Sequence, residues 1–132
     1  MRTPARQKKR VLVIDDNAGI LFIMQKALDL KEYDVHISET FAGVDSVEKI
    51  APNLIFLDIS LVGQDGRKVA QKLKTNERTK HIPIVILTAY PNAGELAREA
   101  RADDYLAKPF DITDLWEMTA KHTAASEKES VL

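Results

Sequence analysis

Four short apolar runs in this chain each end on a residue capable of chemistry. RVLVI at 10–14 is followed by Asp15-Asp16, NLIFL at 53–57 by Asp58, IPIVIL at 82–87 by Thr88, and YLA at 105–107 by Lys108-Pro109. A single Asp after an apolar run is ordinarily a helix cap. Capping does not account for reactive side chains after four separate runs, nor for a lysine set between an apolar run and a proline. Brought together, three carboxylates repel one another unless a cation neutralises them. All-oxygen ligands select Mg2+ or Ca2+, and Mg2+, which keeps waters and takes one or two carboxylates plus a phosphate, suits a shallow acidic edge. The hydroxyl and the ammonium are the donors that a developing phosphoryl group needs. Asp58 is then the natural nucleophile, forming an acyl phosphate by in-line transfer.

The elements that must position these residues alternate along the chain. Arg10–Ile14 reads as a buried strand, and Ile20, Ile23, Met24, Ala27 and Leu28 recur at helical spacing, giving a helix from about 17 to 30. Tyr33–Ser38 is a second strand, and a short helix through Val44, Val47 and Ile50 ends before Pro52. Asn53–Leu57 is the third strand. Asp65 is a candidate N-cap for a helix through Val69, Ala70 and Leu73. Ile82–Leu87 and Tyr105–Ala107 are the fourth and fifth strands. Asn92 and Glu95 have capping-box spacing between them, and a last helix runs from Asp111 to about Thr123. Strands alternating with helices predict an α/β fold: a doubly wound, parallel five-stranded sheet with helices on both faces. Such sheets bind ligands outside the carboxyl ends of their strands, where the reactive residues stand.

Composition sets the outer limits. The 132 residues suit one domain, with 45% hydrophobic and 30% charged residues. No apolar run approaches the roughly 20 residues of a membrane span. There is no cysteine, which excludes disulfides and thiolate catalysis and fits a reducing, cytoplasmic setting. His36, His81 and His122 form no short-spaced metal motif. Five of the 19 basic residues lie in residues 1–10, which hold no acid, leaving 14 bases against 20 acids in the rest. Residues 1–9 are expected to be a solvated basic leader lacking the apolar stretch of a secretory signal, 10–123 the domain, and 124–132 a flexible tail. Nucleic acid is not an expected partner, because no aromatics interleave the basic residues.

The motifs IDDN at 14–17, PNLIFLDIS at 52–60, IPIVILTA at 82–89 and DDYLAKPF at 103–110 resemble the receiver domain of two-component response regulators, over about residues 9–123. The resemblance implies a stand-alone signalling receiver with the flavodoxin-like strand order 2-1-3-4-5. It implies that the chain catalyses only its own phosphorylation and dephosphorylation. It further implies phosphorylation on Asp58, with Mg2+ held by Asp16 and Asp58 directly, by Asp15 through water, and by the Ser60 backbone carbonyl. By the same resemblance Thr88 and Lys108 are expected to bind the phosphoryl oxygens, the Lys108-Pro109 bond to be cis, and Thr88 and Tyr105 to form the switch. The implied partners are a sensor histidine kinase or histidine phosphotransfer protein and a downstream protein target. The unbroken ILFIM run on the first helix, beside Asp15-Asp16, predicts a donor-docking patch of Gly19, Ile20, Phe22 and Ile23.

Three departures from the family pattern bear on this reading. Val62, followed by Gly63, stands where receivers commonly have proline, and Arg101 stands where glycine usually closes a helix. The interval from Thr88 to Lys108 is short, which predicts a short fourth helix or a tight loop before it. An aspartate-nucleophile phosphatase uses a similar residue set but needs a second acid two residues after the nucleophile, where this chain has Ser60. A flavin or nucleotide carrier on the same architecture would need a glycine-rich loop after the first strand. A receiver fragment of a larger hybrid kinase or regulator would share every motif.

Overall fold

The computed structural model describes residues 7–131, with side chains described through residue 124. Residues 1–6 of the expected leader, Leu132 and the side chains of residues 125–131 in the expected tail lie outside this description. Five strands, β1 (Arg10–Ile14), β2 (Asp34–Ser38), β3 (Leu54–Asp58), β4 (Ile84–Thr88) and β5 (Asp104–Ala107), form one parallel sheet in the order β2-β1-β3-β4-β5. This is the predicted α/β fold.

The two faces of the sheet follow from the alternation of side chains along each strand. Leu12, Ile14, Ile55, Leu57, Ile84 and Ile86 face α2 (Val44–Ile50), α3 (Gly66–Thr75) and α4 (Ala93–Glu99). Val11, Val13, Leu54, Phe56, Val85 and Leu87 face α1 (Ala18–Asp29) and α5 (Ile112–Val131). Burial on both sides explains why the central strands read as continuous apolar runs. Trp116 of α5 donates from Nε1 to the Ala27 carbonyl at 2.8 Å, joining the two helices on that face.

Several boundaries differ from the sequence expectation. The fourth strand starts at Ile84 and not Ile82, because the Ile82 N–H closes a turn onto Thr79 and Pro83 has no N–H to offer. On α1 the core stripe is Leu21, Met24, Ala27 and Leu28, while Ile23, expected inside, is 53% exposed; an unbroken apolar run does not define its own helical phase. Asn92 makes no side-chain cap bond, so the capping box with Glu95 does not form. The last helix continues past Thr123 to Val131, through a segment with neither glycine nor proline.

Arg101 stands at the close of α4, where the family pattern has glycine. It has φ = +61°. Its N–H bonds to the Arg98 carbonyl and the Ala102 N–H to that of Ala97, the paired bonds of a Schellman close. The arginine therefore adopts the left-handed conformation of the glycine it replaces. The fourth helix is indeed short, with seven residues.

Candidate functional site

At the carboxyl edge of the sheet, β1, β3, β4 and β5 deliver Asp15-Asp16, Asp58, Thr88 and Lys108 to one place. Asp15, fully buried, accepts the Lys108 Nζ at 2.8 Å and the Asn17 N–H at 2.9 Å. Asn17 also caps α1 by accepting the Ile20 N–H at 3.1 Å, so one residue both starts the helix and orients the neighbouring acid. Asp58 is 5% exposed and takes the Ser60 N–H at 3.1 Å, with Lys108 Nζ 3.8 Å from its other oxygen. Asp16 lies at the rim and accepts the Val62 N–H at 3.1 Å.

Each of the three acids offers one carboxylate oxygen, and these oxygens lie within 4.8 Å of one another. An all-carboxylate set at this spacing fits a hard divalent cation such as Mg2+. Burial pushes the Asp58 carboxyl up from its ordinary value, and the Asp15 and Asp16 charges act the same way. The Ser60 N–H and the Lys108 ammonium oppose them without prevailing. A cation among the three oxygens would relieve the strain that keeping all three ionised imposes.

Thr88 is buried, and its Oγ1 accepts the Tyr90 N–H at 3.0 Å while its carbonyl accepts the Lys108 N–H at 2.7 Å. Accepting from Tyr90 leaves the hydroxyl hydrogen free to donate toward the pocket. The Lys108–Pro109 bond is cis. Tyr105 is 43% exposed, with its ring beside Gly94 of α4. Ser60 pairs with Asp65 in a small antiparallel ladder that carries the chain from β3 to α3.

Of the expected docking residues, Phe22 and Ile23 are exposed and Ile20 is half-buried. Ile20 and Ile23 line an apolar groove of about 360 Å3 with Met24, Ala89, Pro109 and Phe110, and Lys108 forms its edge toward the acidic pocket. Phe22 points elsewhere on α1, with the Lys26 ammonium 5.5 Å from its ring centre, and is not part of the groove lining.

Three contributors escaped the sequence reading. The Asn17 cap was recoverable from its place before an apolar periodic run. Gly66 leaves no room for a side chain: a Cβ there would stand 2.5 Å from the Asp58 carbonyl oxygen and the Ile59 Cα. The Val62 N–H, held by an acid 46 positions away, has no local signal.

Known proteins resemble this chain in sequence and fold. The chain is 36% identical over 109 residues to the DNA-binding dual master transcriptional regulator RpaA of Synechocystis sp., matching 80% of this chain but only 45% of that protein's length. Among solved structures, a CheY-like response regulator receiver domain from Methanospirillum hungatei superposes with TM-score 0.83 at 28% identity, covering 93% of this chain and 99% of the other. The receiver domain of the sensor histidine kinase PA1611 from Pseudomonas aeruginosa, solved with a magnesium ion coordinated in its active-site cleft, superposes with TM-score 0.80 at 25% identity, covering 89% and 99%. The response regulator receiver domain model matches residues 11–120, and with the fold and the acidic edge in place the chain belongs to that family.

Proposed function

We propose that Asp58 accepts a phosphoryl group from a phosphohistidine donor, and that the protein signals through the conformational change that follows. The observation that carries this reading is the placement of the buried Asp58 carboxylate between two further aspartates and the Lys108 ammonium. Asp58 attacks the phosphorus in line as the donor's N–P bond breaks, giving an acyl phosphate. Mg2+, held by Asp16, Asp58, the Ser60 carbonyl and, through water, Asp15, would neutralise the charge that builds on the transferring group. Lys108 and Thr88 supply donors to the phosphoryl oxygens. Engaging the phosphoryl group draws the Thr88 hydroxyl from its loop, and Tyr105, beside Gly94 on α4, registers the movement on the surface.

The donor is a sensor histidine kinase or a histidine phosphotransfer protein. Its apolar helices dock on Gly19, Ile20, Phe22 and Ile23, with the groove along Pro109 and Phe110 continuing the patch toward Asp58. The downstream partner is a protein, the reaction is confined to the chain's own acyl phosphate, and the setting is cytoplasmic. No described helix is long and apolar enough to cross a membrane.

Labelling with acetyl phosphate and Mg2+ tests the acceptor. Wild type should incorporate hydroxylamine-labile phosphate and Asp58→Asn none; equal labile incorporation in both proteins contradicts the assignment. Ile20→Asp should slow transfer from a protein donor and leave acetyl phosphate labelling nearly unchanged. Unchanged transfer from the protein donor would remove the patch from the docking account, whereas equal loss with both donors would point to damaged folding.

A further inference from the structure

Val62 carries a backbone N–H that its own turn does not use. Ser60–Leu61 pairs antiparallel with Gln64–Asp65 in the register Ser60↔Asp65 and Leu61↔Gln64, so Val62 and Gly63 are the central residues of a two-residue turn. Gly63 has φ = +74° and Val62 does not share the positive φ, which is the pattern of a type II turn. The flanking residues close such a turn, and the N–H at its first central position is left over, which is why proline is favoured there. Here that N–H reaches Asp16 Oδ2 at 3.1 Å, while the Val62 side chain is 80% exposed. The residue contributes little through burial.

The three carboxylates of the pocket are held alike but not by the same means. Asp15 receives its amide from Asn17 and Asp58 receives its amide from Ser60, each two residues along the chain. Asp16 has no such local bond among the described residues; its amide comes from Val62, 46 positions away. We infer that the Val62 N–H is a positioning donor, fixing one oxygen of Asp16 so that the carboxylate meets a divalent cation already oriented. A carboxylate has lone pairs enough for an amide and a cation together. Orienting a ligand before binding lowers the entropy lost on binding. The inference rests on the proposal that this pocket takes Mg2+.

Two substitutions separate the amide from the side chain. Val62→Ala keeps the N–H, whereas Val62→Pro removes it at a turn position that suits proline. In calorimetric titration with Mg2+ alone, the alanine variant should bind within about twofold of wild type, and the proline variant about three- to tenfold more weakly, the scale of one lost amide–carboxylate bond at a partly exposed site. Equal affinity of the proline variant overturns the inference, and tighter binding overturns it too, because the bond would then compete with the cation. Absence of Mg2+ binding by wild type removes the cation reading itself, and this inference with it. Should Val62→Pro not fold, amide exchange in wild type decides. The Val62 N–H should exchange slowly with and without Mg2+ and freely in Asp16→Ala; free exchange in wild type, or loss of protection when Mg2+ binds, contradicts the positioning role.

Discussion

Lys108 Nζ is bonded to Asp15 Oδ2 at 2.8 Å, so the ammonium rests on a carboxylate other than the proposed acceptor. Asp58, 3.8 Å from the same nitrogen, has Lys108 within reach without being masked by it. Moving toward a phosphoryl group on Asp58 costs the lysine its bond to a fully buried acid, and a cation beside Asp15 offsets that loss.

Lys108→Ala therefore leaves Asp15 with the Asn17 N–H and no counter-charge. A stability loss of about 3 kcal/mol is expected without metal, at the low end for stranding one member of a buried pair. Mg2+ would supply the missing counter-charge, so it should bind the folded variant more tightly than wild type, and saturating Mg2+ should narrow the deficit. Mg2+ affinity should not fall, since a competing cation has gone, while phosphoryl transfer is impaired. Urea titrations with and without Mg2+, alongside labelling rates, check the pattern; an equal stability deficit in both conditions contradicts it.

Gly66→Ala should damage the fold and the site together. Its Cβ would meet the Asp58 carbonyl oxygen and Ile59 Cα at 2.5 Å, backbone atoms that cannot rotate away. The first turn of α3 must then shift from the end of β3, at a cost of about 2–4 kcal/mol, and carry the loop after Asp58 with it. A denaturation midpoint matching wild type would show that this approach is looser than described.

Arg101→Gly should stabilise the protein. At φ = +61° a side chain costs about 1–2 kcal/mol, and glycine removes that cost while giving back part of it as freedom in the unfolded chain. The net gain expected is about 0.5–1 kcal/mol, measurable as a higher midpoint with an unchanged denaturant slope. A lower midpoint would mean that the arginine side chain contributes more than its backbone strain costs.

Asp104 on β5 ties the sheet to α5 through His122 Nε2 at 3.0 Å and Lys121 Nζ at 3.1 Å. Burial pushes its carboxyl up, but the bonds from His122, the Tyr105 N–H and Lys121 outweigh burial and hold it below the ordinary value. A lowered native pKa means that the unfolded chain takes up the proton first. The stabilisation is complete above the unfolded value of about 3.9 and is lost as pH falls through the lower native value. Asp104→Asn should thus be less stable than wild type near neutrality, with the gap closing only below about pH 4. A gap that stays constant through that acid window contradicts the ion-pair account.

The site was legible in the sequence because chemistry sat directly after apolar runs: once RVLVI, NLIFL, IPIVIL and YLA are strands of one parallel sheet, Asp15, Asp58, Thr88 and Lys108 must share an edge. The strand order was implied by likeness to a known family, since alternation alone does not order strands. The phase of α1 was not legible, because Ile20 to Met24 are all apolar and only packing picks Leu21 over Ile23 for the core. The Val62–Asp16 bond and the Gly66 approach depend on how a loop lies over a distant strand end, and nothing local encodes that. Arg101 lay between these cases: its departure from glycine marked the position, and the structure supplied the left-handed φ.

The central claim is that the acyl phosphate forms on Asp58. Wild-type protein treated with acetyl phosphate, then reduced with borohydride and mapped by peptide mass spectrometry, reports this directly, because reduction of an aspartyl phosphate leaves homoserine at the modified position. The account predicts homoserine at position 58, formed with Mg2+ present and suppressed by chelation. Conversion at another aspartate, or phosphate found on a hydroxyl or histidine side chain while position 58 stays unreduced, would contradict it.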